Sequence, residues 1–260
     1  MTHAALIIGQ IDVLGQGAAP AFCRAMTEAG LDTAQVVTSI EASGNPAAPG
    51  NMEVPAAVIA MQIEEALACG LPQMVCLGKL TSEEQVELVA KHLAGCLKEV
   101  PLFCAPSFIE DGGRPNVSLR CIAHWKRRLA HEVDYLVVAP EDAEILAGSD
   151  VGDTEALVPT AAVLTTLGCD TVLLDGRFPG EPMRIQVLAD EEGLHVNEAA
   201  VIAESRQDYS TAILAANFAS GLLSGLDAVA AFERVQETLI DPTALNSDHS
   251  CDSKVRRLIG

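Results

Sequence analysis

The chain has 260 residues, and 36 Asp and Glu residues against 16 Lys and Arg residues give it a formal charge of −20. This charge excludes the simplest nucleic-acid-binding classes, because an acidic surface repels a phosphate backbone. Hydrophobic residues make up 49% of the chain, which argues against a disordered polypeptide. The length fits one large domain or two small ones, each with a buried core. The sequence shows no internal repeat and no low-complexity linker, so we predict one domain at 1–240, followed by a polar tail at 241–260.

Targeting and redox signals are weak. No apolar run reaches the ~18–20 residues that a membrane helix needs, so we expect no membrane partner. The first residues show neither a basic segment nor a long apolar one, and no signal peptide is apparent. Eight cysteines are scattered without a C-x-x-C pair, which argues against structural zinc and favours reduced thiols. Together these features predict a cytoplasmic protein with neither nucleic-acid nor membrane partners.

Apolar runs of strand length alternate with segments of helical period. The predicted strands lie at 4–8, 36–37, 74–78, 101–105, 134–139 and 171–174. The predicted helices include one closed by Gly30 and others at 83–97, 119–131, 160–167, 209–224 and 227–239. Continuous apolar strands separated by helices predict a largely parallel sheet that is covered on both faces. Two further runs flank an acidic turn at 190–193, which predicts an antiparallel hairpin at the edge of the sheet.

Loops rich in Gly and Pro occur at 9–20, 42–52, 106–117, 148–153 and 175–182, and four of them directly follow predicted strands. In open α/β sheets, ligands bind beyond the carboxyl ends of the strands. We therefore expect a small-molecule site at that edge.

Local strings resemble the ribokinase-like superfamily, and within it most closely the hydroxymethylpyrimidine/phosphomethylpyrimidine kinases, with the pyridoxal kinases as neighbours. The family's Gly-rich loop after the first strand, A-G-S-D-x-x-G-G-A-G, is similar to residues 8–17. Three glycines match and the Ser-Asp pair does not. The resemblance implies that Gly9 and Asp12 line a substrate site, although an Asp in such a loop is also typical of a turn.

Two further strings extend this implied substrate site. The family's T-A-x-x-A-Q-N resembles 38–44, with Ser43 at the position of the Gln that contacts the pyrimidine. Its K-I-G-M-L resembles 76–80, with Lys79 at the position of the Met that lies against the ring. Because burying an ammonium group is costly, we expect Lys79 either to touch a ligand or to pair with a carboxylate such as Asp12.

The nucleotide side is implied by two other strings. The family's T-P-N-x-x-E-A resembles 139–143 and the following Glu144, which would bind nucleotide and Mg²⁺ or serve as a first-turn helix carboxylate. Its V-K-G-G-H resembles 174–178, which makes Asp175 a candidate nucleotide-binding residue. The resemblance therefore implies Mg²⁺ as a cofactor and ATP as the phosphate donor.

The family signature, G-x-G-D or G-T-G-C at a helix start, is similar to residues 209–212 in this chain. Both glycines are absent, and Ala212 stands where the base would be. Asp208 could replace that base, or it could cap the helix as Asp commonly does. Thr211 could donate its hydroxyl group to a phosphate, or it could serve the start of the helix.

The expected fold is a ribokinase-like three-layer α/β sandwich with a largely parallel central sheet. Two functions stay open. The chain is either a kinase that transfers the ATP γ-phosphate to a hydroxymethyl-pyrimidine or pyridine, or a catalytically retired relative that binds a small molecule or regulates. By resemblance we expect a homodimer and a small-molecule substrate.

Overall fold

A computed structural model of the chain describes residues 3–12, 15, 17–42, 50–109, 114–178, 181, 183–200, 211–240 and 256–258. The strands are β1 (Ala5–Asp12), β2 (Thr33–Ala42), β3 (Gly50–Glu53), β4 (Met74–Leu77), β5 (Leu102–Cys104), β6 (Tyr135–Val138), β7 (Thr171–Gly176), β8 (Met183–Asp190), β9 (Gly193–Ala200) and β10 (Arg256–Leu258). The helices are α1 (Ala18–Glu28), α2 (Ala56–Ala68), α3 (Glu83–Leu93), α4 (Leu119–Arg128), α5 (Pro140–Ala147), α6 (Leu157–Thr165), α7 (Thr211–Leu223) and α8 (Ala228–Ile240).

All ten strands form one sheet in the order β10-β9-β8-β7-β6-β5-β4-β1-β2-β3. The six strands from β7 to β2 run parallel, and β3, β8, β9 and β10 add antiparallel edges. The predicted parallel sheet and the hairpin β8–β9 are thereby confirmed. Two strands were not predicted. The strand β3 begins in the expected loop 42–52 and ends one residue beyond it, and β10 lies within the expected tail, so part of that tail belongs to the sheet.

Apolar side chains on both faces of the parallel strands explain the three layers. Ile8 of β1 belongs to a core cluster shared with α2 to α6, whereas its neighbour Ile7 belongs to a second cluster shared with α1, α7 and α8. Consecutive residues of a strand point to opposite faces, so one apolar run supplies both cores. Trp125 of α4 is buried in the first core, where its ring meets Phe108 edge-on at 5.4 Å between centroids.

Small residues bring α1 close to the sheet. A Cβ added to Gly9 would lie 3.0 Å from the Cβ of Ala19, and one added to Gly78 would lie 3.2 Å from the Cβ of Ala18. Larger side chains at these positions would push the helix away from β1 and β4. The amino end of α1 therefore lies against the carboxyl ends of these two strands.

Within the described ranges, no helix is long and apolar enough to cross a bilayer. The seven cysteines in those ranges are free thiols, four of them buried: Cys76, Cys104, Cys121 and Cys169. Burial raises the pKa of Cys121 to about 11 and that of Cys169 to about 12. These thiols are packing residues, as expected from the sequence.

Candidate active site

Lys79 lies just beyond β4 at the carboxyl edge of the sheet and is only 3% exposed. Its Nζ donates to Oε1 of Glu41 at 2.6 Å and to Oδ1 of Asn116 at 2.7 Å. The prediction that Lys79 pairs with a carboxylate is therefore confirmed, but the carboxylate is Glu41 on β2 rather than the Asp12 named from the sequence. The pairing compensates the loss of hydration that burial imposes on an ammonium group.

Asn116 connects this ion pair to an open cleft. Its Nδ2 donates to the backbone oxygen of Ser107 at 3.3 Å and to the Oγ of Ser107 at 3.2 Å, which fixes the orientation of the amide. The cleft has a volume of about 670 Å³ and is lined by Asn51, Glu53, Thr81, Pro115, Asn116, Val117 and Ser118. Amide, hydroxyl and carboxylate groups dominate this lining, so the cleft suits a ligand that forms several hydrogen bonds.

A buried hydrogen-bond network supports the Lys79 end of the site. Gln85 of α3 donates to the backbone oxygens of Thr38 at 3.0 Å and Val54 at 3.2 Å, and its Oε1 accepts from the Thr81 N–H. The Thr38 hydroxyl donates to the backbone oxygen of Lys79 at 2.9 Å. Thus β2, β4 and the start of α3 are held in one arrangement. Neither Gln85 nor Asn116 was predicted as a site residue, and the loop position of Asn116 was the available signal for it.

The other residues predicted to bind the substrate are Gly9, Asp12 and Ser43. Gly9 is buried within β1, where its lack of a side chain allows the approach of α1. Asp12 ends β1 and pairs in register with Glu41, so it lies at the same edge as the ion pair. Ser43 lies outside the described residues.

Asp175 and Thr211, both predicted to bind nucleotide, contact each other at the other half of the edge. Asp175 is the penultimate residue of β7, and its Oδ2 accepts a hydrogen bond from the Thr211 hydroxyl at 2.8 Å. Arg184 of β8 donates to both carboxylate oxygens, Nε to Oδ1 at 2.6 Å and Nη2 to Oδ2 at 2.5 Å. Gln186 adds a hydrogen bond to Oδ1 at 3.2 Å. The carboxylate of Asp175 is therefore bound entirely by the protein's own donors.

Glu144 is exposed on α5, whereas Asp142 two residues earlier is buried. Oδ1 of Asp142 accepts hydrogen bonds from the N–H groups of Phe108 and Ile109, at 2.9 and 3.0 Å. Burial raises the pKa of the Asp142 carboxyl to about 7, although the two N–H donors act to lower it. Asp142 is thus a support of the loop after β5, while Glu144 is open to solvent.

We tested whether these carboxylates fit Mg²⁺. No cluster of three or more potential metal ligands occurs in the part of the chain that is described. Magnesium in kinases is commonly held by one or two carboxylates together with substrate phosphates, so an exposed Glu144 fits the ion and the buried Asp142 does not. Asp208 lies outside the described residues. Ala212, in the first turn of α7, carries no group that could accept a proton.

Comparisons with known proteins agree with this architecture. The family model described as phosphomethylpyrimidine kinase matches residues 19–249. A hydroxymethylpyrimidine/phosphomethylpyrimidine kinase of Synechococcus elongatus is 26% identical over 174 residues, which cover 66% of this chain and 65% of that protein. The chain thus aligns with about two thirds of the length of this curated relative.

Solved structures share the fold at low sequence identity. A pyridoxal kinase of Staphylococcus aureus in complex with AMP-PCP and pyridoxal has a TM-score of 0.83 at 14% identity, covering 99% of this chain and 100% of that one. A phosphomethylpyrimidine kinase of Clostridium difficile has a TM-score of 0.77 at 18% identity, covering 93% and 99%.

The sheet order, the two helical layers and the polar carboxyl edge define a ribokinase-like α/β protein, as the sequence predicted. With the family model matching most of its length, the chain belongs to the phosphomethylpyrimidine kinase family. That family consists of small-molecule kinases.

Proposed function

We propose that this chain is a small-molecule kinase that transfers the γ-phosphate of ATP to a hydroxymethyl group on a pyrimidine or pyridine ring. Membership of the family supports the reaction class. The observation that carries the acceptor side is the buried Lys79 ammonium group, held by the half-buried Glu41 and Asn116 beside the open polar cleft. A ring with nitrogen and hydroxyl substituents matches the hydrogen-bonding groups of that cleft.

The proposal assigns a role to each side of the edge. The acceptor ring would lie near Lys79, Gly9, Asp12 and Ser43, beside Asn116, whose amide is held in place by Lys79 and Ser107. ATP would lie near Thr211 and Asp175, where α7 begins. Asp208 would accept the proton of the attacking hydroxyl group, the role of a general base in phosphoryl transfer.

Glu144 would hold Mg²⁺, which neutralises charge on the transferring phosphates when it is bound.

A second function is favoured by a specific observation. Asp175 is fully paired with Arg184, Gln186 and Thr211, and Ala212 occupies the family's base position. Such a site supports binding of a small molecule without phosphoryl transfer. In this alternative the chain keeps the acceptor cleft and acts as a binding or regulatory protein.

One experiment separates the two functions. Pure protein is incubated with Mg-ATP and hydroxymethylpyrimidine or pyridoxal, and ADP formation is measured beside the thermal shift caused by each compound. Turnover that is abolished in Asp208→Asn and kept in the matched control Asp150→Asn supports the kinase and excludes the retired protein. No shift with millimolar ATP, together with a shift from the ring compound alone, supports the second function and excludes the first.

The proposal extends to the oligomeric state of the protein and its cellular compartment. We propose a homodimer in the cytoplasm, on the basis of the family resemblance and of the free thiols. Light scattering would then give twice the chain mass of 27.3 kDa. A mass of a single chain at micromolar concentration would contradict the dimer.

A further inference from the structure

Hydrogen-bond donors surround both oxygens of the Asp175 carboxylate. Four hydrogen bonds reach its two oxygens: two from the Arg184 guanidinium, one from the Gln186 amide and one from the Thr211 hydroxyl. The Arg184 and Asp175 side chains are 7% and 1% exposed, so the pair lies out of contact with bulk water. Each oxygen receives two donors, which nearly fills its capacity to accept hydrogen bonds.

The donors come from separate parts of the fold. Arg184 and Gln186 project from the same face of β8, two residues apart, and Gln186 pairs in register with Asp175 of β7. Thr211 is the first residue of α7, whose amino end carries partial positive charge. A forked guanidinium, an amide N–H and a hydroxyl group at a helix start are the groups that bind oxyanions in proteins.

We propose that Arg184, Gln186 and Thr211 form an oxyanion-binding site that the chain's own Asp175 carboxylate occupies. The carboxylate takes the place that an external carboxylate or phosphate oxygen would otherwise fill. Asp175 therefore decides which anion these three donors bind, because its charge and its volume exclude other anions from the space between them. The inference rests on the contacts of these four residues and does not depend on whether the chain transfers phosphate.

The charge balance supports this exclusion. The positive charge of Arg184 is matched by Asp175, so the cluster offers no net attraction to a second anion. In a buried, weakly hydrated site, the approach of another anion to Asp175 would be repelled more strongly than in water. Removing the Asp175 carboxylate makes the cluster attractive to an anion. Arg184 then stays buried without its partner, and the donors surround a vacant space.

The test is chemical rescue by formate, which has the size of the group that Asp175→Ala removes. Thermal unfolding of wild type, Asp175→Ala and Asp175→Ala/Arg184→Met is measured in sodium formate and in sodium chloride at equal ionic strength. Leu173→Ala, which removes a buried side chain from the same strand, serves as a destabilised control. We expect formate to raise the Tm of Asp175→Ala saturably by about 5–10 °C, the shift that a ligand well above its Kd gives a domain of this size.

Wild type, the double variant and Leu173→Ala should respond to formate only as they respond to chloride. If Asp175→Ala does not fold in chloride, the measurement becomes its recovery on refolding in formate against chloride. Equal effects of the two salts on Asp175→Ala would overturn the proposal. So would an equal gain from formate in the double variant or in wild type, because neither offers a vacant site with the guanidinium.

Discussion

Oδ1 of Asp142 accepts a hydrogen bond from the Phe108 N–H at 2.9 Å, which ties α5 to the loop that follows β5. Burial raises the pKa of this carboxyl to about 7, well above the ordinary value for Asp. The folded state therefore binds a proton that the unfolded chain has already lost between about pH 4 and pH 7. It follows that this group makes the protein less stable as the pH rises through that range.

Replacing Asp142 by Asn should remove this pH dependence, because an Asn oxygen can accept the same two hydrogen bonds without titrating. We expect the free energy of unfolding of Asp142→Asn to exceed that of wild type by about 1–3 kcal/mol at pH 8, and the difference to shrink toward pH 4. Urea unfolding in metal-free buffer across this range measures it. The control is Asp150→Asn at an exposed position, and parallel curves for wild type and Asp142→Asn would contradict the assignment.

The ion pair between the buried Lys79 and the half-buried Glu41 gives a second prediction. Replacing Lys79 by Met leaves Glu41 and Asn116 without their cation, so we expect a loss of about 2–4 kcal/mol of unfolding free energy. Adding Glu41→Gln should restore most of it, since the uncompensated charge is then gone. The exposed pair of Arg120 and Glu83 is the control, and Arg120→Met should cost less than about 0.5 kcal/mol.

Urea titration of the two single variants and the double variant gives the coupling energy between Lys79 and Glu41. Additive losses would mean that the contact seen at 2.6 Å contributes little to stability.

Gly176 makes a third prediction, because it is packed too tightly to accept a side chain. A Cβ at this position would overlap the Leu157 side chain of α6 and lie 2.6 Å from the backbone oxygen of Ile185. We expect Gly176→Ala to destabilise the protein by about 1–3 kcal/mol, as overpacking of a core does. Gly152→Ala is the control, because its Cβ would meet the exposed Asp150 carboxylate at 3.3 Å.

Differential scanning calorimetry of the two glycine variants checks the difference. A Gly176→Ala protein as stable as Gly152→Ala would show that β7 can move away from α6 at little cost.

Thiol reactivity gives a fourth prediction. In a Cys251→Ser background, a thiol reagent at pH 8 should label Cys69 and Cys96 rapidly, because both are exposed. Cys169 should react only after unfolding, since burial raises its pKa to about 12 and the thiolate is the reactive form. Mass spectrometry of peptides from native and unfolded protein identifies the labelled positions. Rapid labelling of Cys169 in the native protein would contradict its burial.

The three layers of the fold could be predicted because the length and continuity of the apolar runs show which strands are covered on both faces. A strand buried on both faces reads as a continuous apolar run, and the runs of β1, β4 and β7 were each identified in this way. The strand β3 could not be predicted, because its residues Gly50–Glu53 are mostly polar and it forms through edge pairing with β2. These polar residues adopt a strand conformation because they pair with β2, and the local sequence does not show that this pairing occurs.

The candidate site was predicted in part. Lys79 could be predicted as a site residue because an ammonium group at the end of a buried strand needs a partner. The structure shows that partner to be Glu41. The sequence did not single out its partner, because Asp12 and Glu41 lie in register near the carboxyl ends of adjacent parallel strands. Asn116 and Gln85 were missed, because a single Asn in a loop and a single Gln in a helix are usually solvated.

By itself, the sequence determined the alternation of strands and helices and the edge of the sheet that carries the polar loops. It also showed that the glycines of the family signature are absent from 209–212, at the start of α7. Only the tertiary structure decided which charges meet. Lys79 and Glu41 are separated by 38 residues, and Thr211 and Asp175 by 36, so their contacts depend on strand register and helix placement. Hydrophobic periodicity is local and can be read along the chain, whereas the pairing of buried charges depends on distances of a few ångström that folding alone sets.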